Sequence, residues 1–223
     1  MWGYYGSKSK IVKKYPYPRY EKIIEPFAGT AQYSLLHFEK DVTLVEKYDV
    51  IAKLWKWLQS CSKSDITGLP RLKCGENVDD FKWDCEEAKW LVGFIITGAP
   101  AQPKKTASKW KTIIRPNTQE YKLKFISENL YKIKHWKIIQ GDYSDLKNEE
   151  ATWFIDPPYQ FGGQYYKHGN KNIDFSSLAV WCKERKGQVI VCENSKASWL
   201  PFSSLTEMHG VKFNTTECMY HQN

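Results

Sequence analysis

The sequence predicts an α/β fold, with a parallel sheet, crossover helices and one partly helical insertion. Three observations carry this. Five short runs (22–25, 42–46, 137–140, 152–155 and 188–192) are apolar, rich in β-branched or aromatic residues, and end at a polar or Gly/Pro break. Strands buried on both faces of a parallel sheet read this way. Helical patterns lie between several of the runs, which is the alternation that crossover connections need. The stretch 60–117 interrupts that rhythm with Pro, Gly, Lys and Cys.

The first two strands, 22–25 and 42–46, precede helical segments at 31–38 and 49–59. Residues 84–97 place Ala88, Leu91, Val92, Ile95 and Ile96 on one face, and Asp84 with Glu87 resembles a capping box. Residues 118–134 carry a second apolar stripe, Leu123, Ile126, Leu130 and Ile133. A helix over 175–186 leads into the last strand. The domain boundaries read from this are 1–59 with 118–223 as the sheet domain, and 60–117 as the insertion.

The chain has 223 residues, enough to bury a core without staples. Hydrophobic residues make up 42% and charged residues 26%, so a soluble globular protein is expected rather than a disordered one. The apolar run 90–101 is too short to span a bilayer, and no secretory leader is read at the N-terminus. The six cysteines form no Cys-x-x-Cys pair and lack a histidine at metal-ligand spacing. The expectation is therefore free thiols in a reducing cytoplasm, with no disulfide, no metal and no membrane partner.

The most specific motif is Asp156-Pro157-Pro158-Tyr159, immediately after the run 152–155. Ligands of open α/β sheets bind beyond the carboxyl ends of the strands. Two prolines stiffen the chain there and hold a carboxylate, a free carbonyl and an aromatic face together. That set suits a planar amine, although a Pro-Pro turn also serves simply to end a strand. Glu25-Pro26-Phe27-Ala28-Gly29-Thr30 comes after the first run and opens a helix, with Gly29 permitting close approach of backbone to ligand. It does not meet Gly-x-Gly-x-x-Gly, so a dinucleotide fingerprint is missing. Glu46 ends the second run, where an acid commonly bonds ribose hydroxyls; a solvated strand-end carboxylate reads the same way. Asp142 and Tyr143 come after the third. Trp2-Gly3-Tyr4-Tyr5-Gly6-Ser7-Lys8 sets small residues beside aromatics and a lysine.

In this order the motifs resemble the alpha group of DNA N6-adenine methyltransferases, the Dam-like enzymes, most of all their compact phage-type members. The resemblance rests on Trp2 and Lys8, on Glu25 to Gly29, on Glu46 and Asp142, and on Asp156 to Tyr159. Tyr165 to His168, Phe175 and Gln188 to Asn194 look like the family's downstream segments. It covers the chain apart from roughly 60–117. Ser7 and Ala31 stand where the family has glycine.

The resemblance implies a Rossmann-like S-adenosylmethionine-dependent methyltransferase sheet with a small target-recognition insertion. It further implies methyl transfer from S-adenosyl-L-methionine to the exocyclic N6 of a flipped-out adenine in DNA. Asp156, Pro157, Pro158 and Tyr159 would be the catalytic set. Trp2, Tyr5, Gly6, Lys8, Glu25, Pro26, Phe27, Gly29, Thr30, Glu46, Asp142 and Tyr143 would form the cofactor pocket. Within it Lys8 would lie near the methionine carboxylate, Glu46 on the ribose and Asp142 on the cofactor adenine. The setting implied is the cytoplasm of a bacterium or a phage-infected host, in restriction-modification or DNA methylation generally. Methylation of cytosine N4 or of RNA adenine uses the same amine geometry, and an inactive DNA-binding module is the alternative outside the enzyme class.

The charge suits a phosphate-rich partner such as DNA, although many basic proteins bind nothing anionic. The chain carries a net charge of +8 with 33 Lys+Arg against 25 Asp+Glu. Residues 101–137 hold ten of those cations against Glu120 and Glu128. The segment 104–111 reads as a flexible basic loop around an aromatic. Lys104, Lys105, Lys109, Trp110, Lys111 and Arg115 are the candidate DNA contacts, the cations for phosphates and the indole as wedge or stacking platform. For the lysines of 122–134 a solvated helix face is an equal alternative. Nothing in the sequence sets an oligomeric state, and a monomer suffices.

Overall fold

The computed structural model describes residues 1–209 and 214–223. By contact the chain divides into two compact units, Met1–Ser7 with Asp49–Lys134, and Lys8–Tyr48 with His135–Asn223.

The second unit holds all seven strands of one mixed sheet: β1 (Lys22–Glu25), β2 (Asp41–Glu46), β3 (Lys137–Gln140), β4 (Ala151–Ile155), β5 (Gly187–Asn194), β6 (Ser203–His209) and β7 (Asn214–Gln222). Their order across the sheet is β3-β2-β1-β4-β5-β7-β6. The first five run parallel, and β7 lies antiparallel between β5 and β6. This is the expected α/β, Rossmann-like sheet. The chain leaves β1 toward β2 and β3 and returns on the other side at β4, so a topological switch point lies between β1 and β4.

The central strands are buried because they read as they do. Every residue of β4 is buried, as are Ile23, Ile24, Val42, Leu44 and Val45. One face packs Trp153, Ile155, Val189 and Val191 against Leu178, Ala179 and Cys182 of α6 (Phe175–Lys183). On the other face Phe154 stacks on Tyr33 of α1 (Gln32–Leu36), with ring centres 4.3 Å apart and planes 7° from parallel. Tyr15 meets the same ring edge-on. The hairpin β6–β7 was not among the expected strands. Its sequences, SSLTEMH and NTTECMYHQ, mix polar with apolar residues and lack the continuous apolar run of a buried parallel strand.

The first unit is helical, with α2 (Asp49–Ser60), α3 (Lys63–Thr67), α4 (Glu86–Ile95) and α5 (Thr118–Asn129). By contact it spans Asp49–Lys134, with the helices on either side of 60–117 packed together with that stretch. Gln119 of α5 exchanges two hydrogen bonds with the Leu72 backbone, at 2.7 and 3.0 Å, and is itself buried. Gln59 Nε2 donates to the Ile133 carbonyl at 2.8 Å. These bonds tie 59–72 to 119–133. The capping box at Asp84 does not form. The helix starts at Glu86 with Cys85 extended at the cap position, which leaves Asp84 one residue too early.

Among the described residues no helix is long and apolar enough to cross a membrane, and no group of three or more His, Cys, Asp or Glu is placed to hold a metal ion.

Gly187 opens β5 with φ +94°, and a Cβ there would lie 2.3 Å from the Ala151 carbonyl oxygen. Gly187→Ala should therefore destabilise the fold by about 2–4 kcal/mol, adding backbone strain to overpacking. Urea denaturation checks this; a loss under about 0.5 kcal/mol would show that β4 and β5 can separate freely there.

Candidate active site

The parallel strands deliver acidic side chains to one end of the sheet. Glu25 ends β1 and Glu46 ends β2, Asp142 comes just after β3, Asp156 just after β4, and Glu193 lies near the end of β5. These are the carboxyl ends flanking the switch point, where open α/β sheets bind ligands.

The turn after β1 is tight. Ala28 N–H donates to the Val45 carbonyl at 3.1 Å and Ala31 N–H to the Ala28 carbonyl at 2.7 Å. Gly29 has φ +46°, and Ala31, at the start of α1, has φ +44°. The second value explains why glycine suits this position in the family the sequence resembles, since alanine holds it only with strain. Glu46 supports the turn from β2, its Oε2 accepting from Gly29 N–H and its Oε1 from Tyr48 N–H, each at 3.0 Å. Burial pushes its carboxyl up, and those N–H groups oppose the rise. Phe27 leans on Tyr143, with ring centres 5.3 Å apart. Pro26 and Thr30 are buried beneath the turn.

Other expected cofactor residues have partners within the protein. Glu25 is 2% exposed, and its Oε1 accepts from Ser34 N–H in the first turn of α1 at 2.7 Å. It serves the helix start. Asp142 accepts from Ser144 and pairs with Lys47 at 2.7 Å, so both of its oxygens are engaged. Burial would raise its carboxyl, but Lys47 and Ser144 hold it below the usual range. Trp2, Tyr5 and Gly6 belong to the helical unit. Trp2 is buried there against Trp55 and Phe94, because a large apolar ring is worth more inside a core than on a surface.

The Lys8 ammonium lies 2.9 Å from Asp156 Oδ1 and 3.4 Å from Glu217 Oε1, and donates to the Tyr159 hydroxyl at 2.6 Å. Tyr159 and Tyr15 in turn donate to Glu217 Oε1, Tyr15 at 2.6 Å. The Lys8 nitrogen is also 4.5 Å from the Tyr159 ring centre, a cation–π contact beside the hydroxyl bond. Two carboxylates thus share one buried ammonium. Burial pushes Asp156 up to about 6; Lys8 opposes the rise and Glu217 adds to it. Burial lowers the Lys8 ammonium, but Asp156 and Glu217 outweigh it and the net shift is upward. Asp156 keeps about a fifth of its side chain exposed, whereas Lys8 and Glu217 are closed off, at 7% and 4%.

Glu193 secures the chain immediately after Tyr159. Its Oε2 accepts from Gln160 N–H at 2.8 Å and from Trp199 Nε1 at 3.1 Å. Gly163 lies so close to Pro158 that a Cβ would sit 2.8 Å from the Pro158 carbonyl carbon. Glu217 and Tyr15 were not among the expected site residues. Glu217 lies in a strand with no apolar run to mark it, and Tyr15 comes just after a short 3-10 segment with no motif around it.

The basic segment of the helical unit is not a flexible loop over its first half. Thr106 bridges to Asn77, Val78 N–H donates to the Lys105 carbonyl at 2.8 Å, and Lys104 N–H donates to the Gly93 carbonyl at 3.0 Å. Lys105 is paired with Asp79 at 2.9 Å. Lys109, Trp110 and Arg115 are exposed, the Arg115 guanidinium lying 4.9 Å from the Trp110 ring centre. Residues 110–114 form a π-helical turn whose Ile113 and Ile114 are also exposed. Lys111 is half-buried, its ammonium pushed down by burial and by nearby Lys122 and Arg115.

No family model matches this chain, and no curated protein does. Among solved structures it is similar to a Haemophilus influenzae protein described as a "putative methylase", at 12% identity and a TM-score of 0.38, over 90% of this chain and 78% of that one.

Burial pushes the Glu25 carboxyl up to about 8. Below about pH 4.5 both folded and unfolded chains hold its proton. As pH rises, the unfolded chain releases it first, so stability falls until the folded group ionises near 8. Between pH 6 and 8 the stability of Glu25→Gln should decline less than that of wild type in urea titrations. Parallel curves would show that Glu25 is not the source.

Proposed function

We propose that this protein is a DNA methyltransferase acting from S-adenosyl-L-methionine on the exocyclic N6 of adenine. The observation that carries the reading is Asp156 at the end of β4, partly exposed beside the switch point and backed by a buried cluster with one more carboxylate than ammonium. That excess of negative charge fits a cationic sulfonium approaching an amine. Glu46 fits the same cofactor, since it places a carboxylate at the end of β2, beside the turn at Gly29.

When bound, the cofactor supplies a methyl group already activated on sulfur. The chain supplies orientation and charge. A paired adenine must leave the stack, at a cost of a few kcal/mol. Tyr159 offers a ring face for it, worth about 1–3 kcal/mol. Its plane is held through the hydroxyl by Lys8 and Glu217. The Asp156 carboxylate and the Pro157 carbonyl accept from the amine in two directions. This favours a localised lone pair on nitrogen and stabilises the charge that develops there. A carboxyl held near 6 also accepts the proton that the amine then sheds.

The helical unit would carry the target. Lys109, Lys111 and Arg115 offer charge to phosphates. Trp110, with Ile113 and Ile114 beside it, offers an exposed apolar wedge of the kind that enters between base steps. Lys104 and Lys105 are on an ordered strand-like edge and add charge only.

Incubation with labelled cofactor and genomic DNA, with mapping of the modified bases, tests the reaction. Label in N6-methyladenine is expected; label in N4-methylcytosine or only in RNA would overturn the substrate. Asp156→Ala should reduce transfer at least 1,000-fold with the fold intact, and retained methylation would refute the assignment. Tyr159→Ala should weaken DNA use far more than cofactor binding, as measured by titration of each. DNA affinity should drop steeply between 50 and 200 mM salt, whereas a flat response would count against phosphate contacts.

A further inference from the structure

Glu217 has no part in the catalytic set, yet it is the second carboxylate on Lys8. It reaches the site because β7 runs antiparallel. Glu217 pairs in register with Asn194, the last residue of β5, and so stands at the same end of the sheet as Asp156. It is 4% exposed, and one of its oxygens accepts from both Tyr15 and Tyr159. A carboxylate buried this deeply is costly unless it is compensated. Two hydroxyl donors and an ammonium 3.4 Å away provide that compensation.

We propose that Glu217 is a positioning residue that draws Lys8 off Asp156 when the acceptor amine enters. The inference rests on the methyl-transfer reading of the site. In the structure the Lys8 ammonium occupies the place on Asp156 that an amine donor would take, 2.9 Å from Oδ1. An incoming amine competes with it for the same lone pairs. Expelling the ammonium to water would leave the two carboxylates facing each other without a cation. Glu217 Oε1, already 3.4 Å from the ammonium, offers it a second carboxylate to turn to. The Tyr159 hydroxyl bonds both Lys8 and Glu217, so it stays partnered throughout, and the ring meant for the base keeps its plane. Lys8 is then a placeholder that keeps the empty site compensated, and Glu217 is where it goes.

Two variants of opposite sign test this, read first by carbon-13 NMR titration of the side-chain carboxyls without DNA or cofactor. Glu217→Gln keeps the shape but removes the charge that raises Asp156 and attracts Lys8. The Asp156 midpoint, about 6 in wild type, should fall by about one pH unit. Tyr15→Phe removes one donor from Glu217 and leaves that oxygen freer for Lys8, so the midpoint should rise. A structural role would not move the two in opposite directions. An unmoved midpoint in Glu217→Gln overturns the proposal, as does a downward shift in Tyr15→Phe. If Glu217→Gln does not fold, the direction in Tyr15→Phe decides.

With DNA, Glu217→Gln should raise KM for the acceptor about ten-fold, with kcat within three-fold and cofactor affinity unchanged. Proportional losses in kcat and KM would overturn it. If wild type methylates no nucleic acid, the methyl-transfer reading falls, while the midpoints still report whether Glu217 competes for Lys8.

Discussion

A single buried ammonium shared by two carboxylates sets the conditions for everything around it. Asp156, Glu217 and Lys8 come from the end of β4, from β7 and from the segment before β1, three parts of the chain with no sequence proximity. Separately, each would be expensive to bury. Together they hold one another, and the surplus negative charge faces the exposed part of Asp156. Two tyrosine hydroxyls complete the set, each donating to Glu217. The polarity of the site and the orientation of its aromatic ring therefore have one origin.

The sheet makes that meeting possible. Parallel strands β1 to β5 put their carboxyl ends on one side, with the switch point between β1 and β4. Antiparallel β7 adds a carboxylate from a chain running the other way. Glu46 and Glu193 perform the same service for the surrounding backbone, one holding the turn at Gly29 and the other the chain after Tyr159. Acidic residues at the strand ends thus divide into Glu25, Glu46 and Glu193, which hold backbone N–H groups, and Asp156, which pairs with an ammonium.

The helical unit obeys a different logic. It fills the connection between β2 and β3 and takes α2 and α5 with it, α2 packing on α4 and α5 on α3, with Gln59 bonded to Ile133 and Gln119 to Leu72. Its basic residues are sorted by that packing. Lys105 is spent on Asp79, while Lys109 and Arg115 remain outward beside an exposed indole. Net charge over 101–137 could not distinguish these cases, since charge counting ignores which side chains find partners.

The five parallel strands, and Asp156 at the end of one of them, were legible in the amino-acid order, because continuous apolar runs and a rigid Asp-Pro-Pro-Tyr are local signals. So were the turn at Gly29 and the acid at Glu46, which lie next to the strands they serve. Other assignments waited on the folded chain. Only the fold could turn Trp2 into a core residue, give Glu25 to a helix start and set Lys8 against Asp156. Only pairing of β7 with β5 could bring Glu217 within reach, across 61 residues of chain from Asp156. Burial and partner choice depend on which segments meet in space, and local sequence patterns carry no record of that.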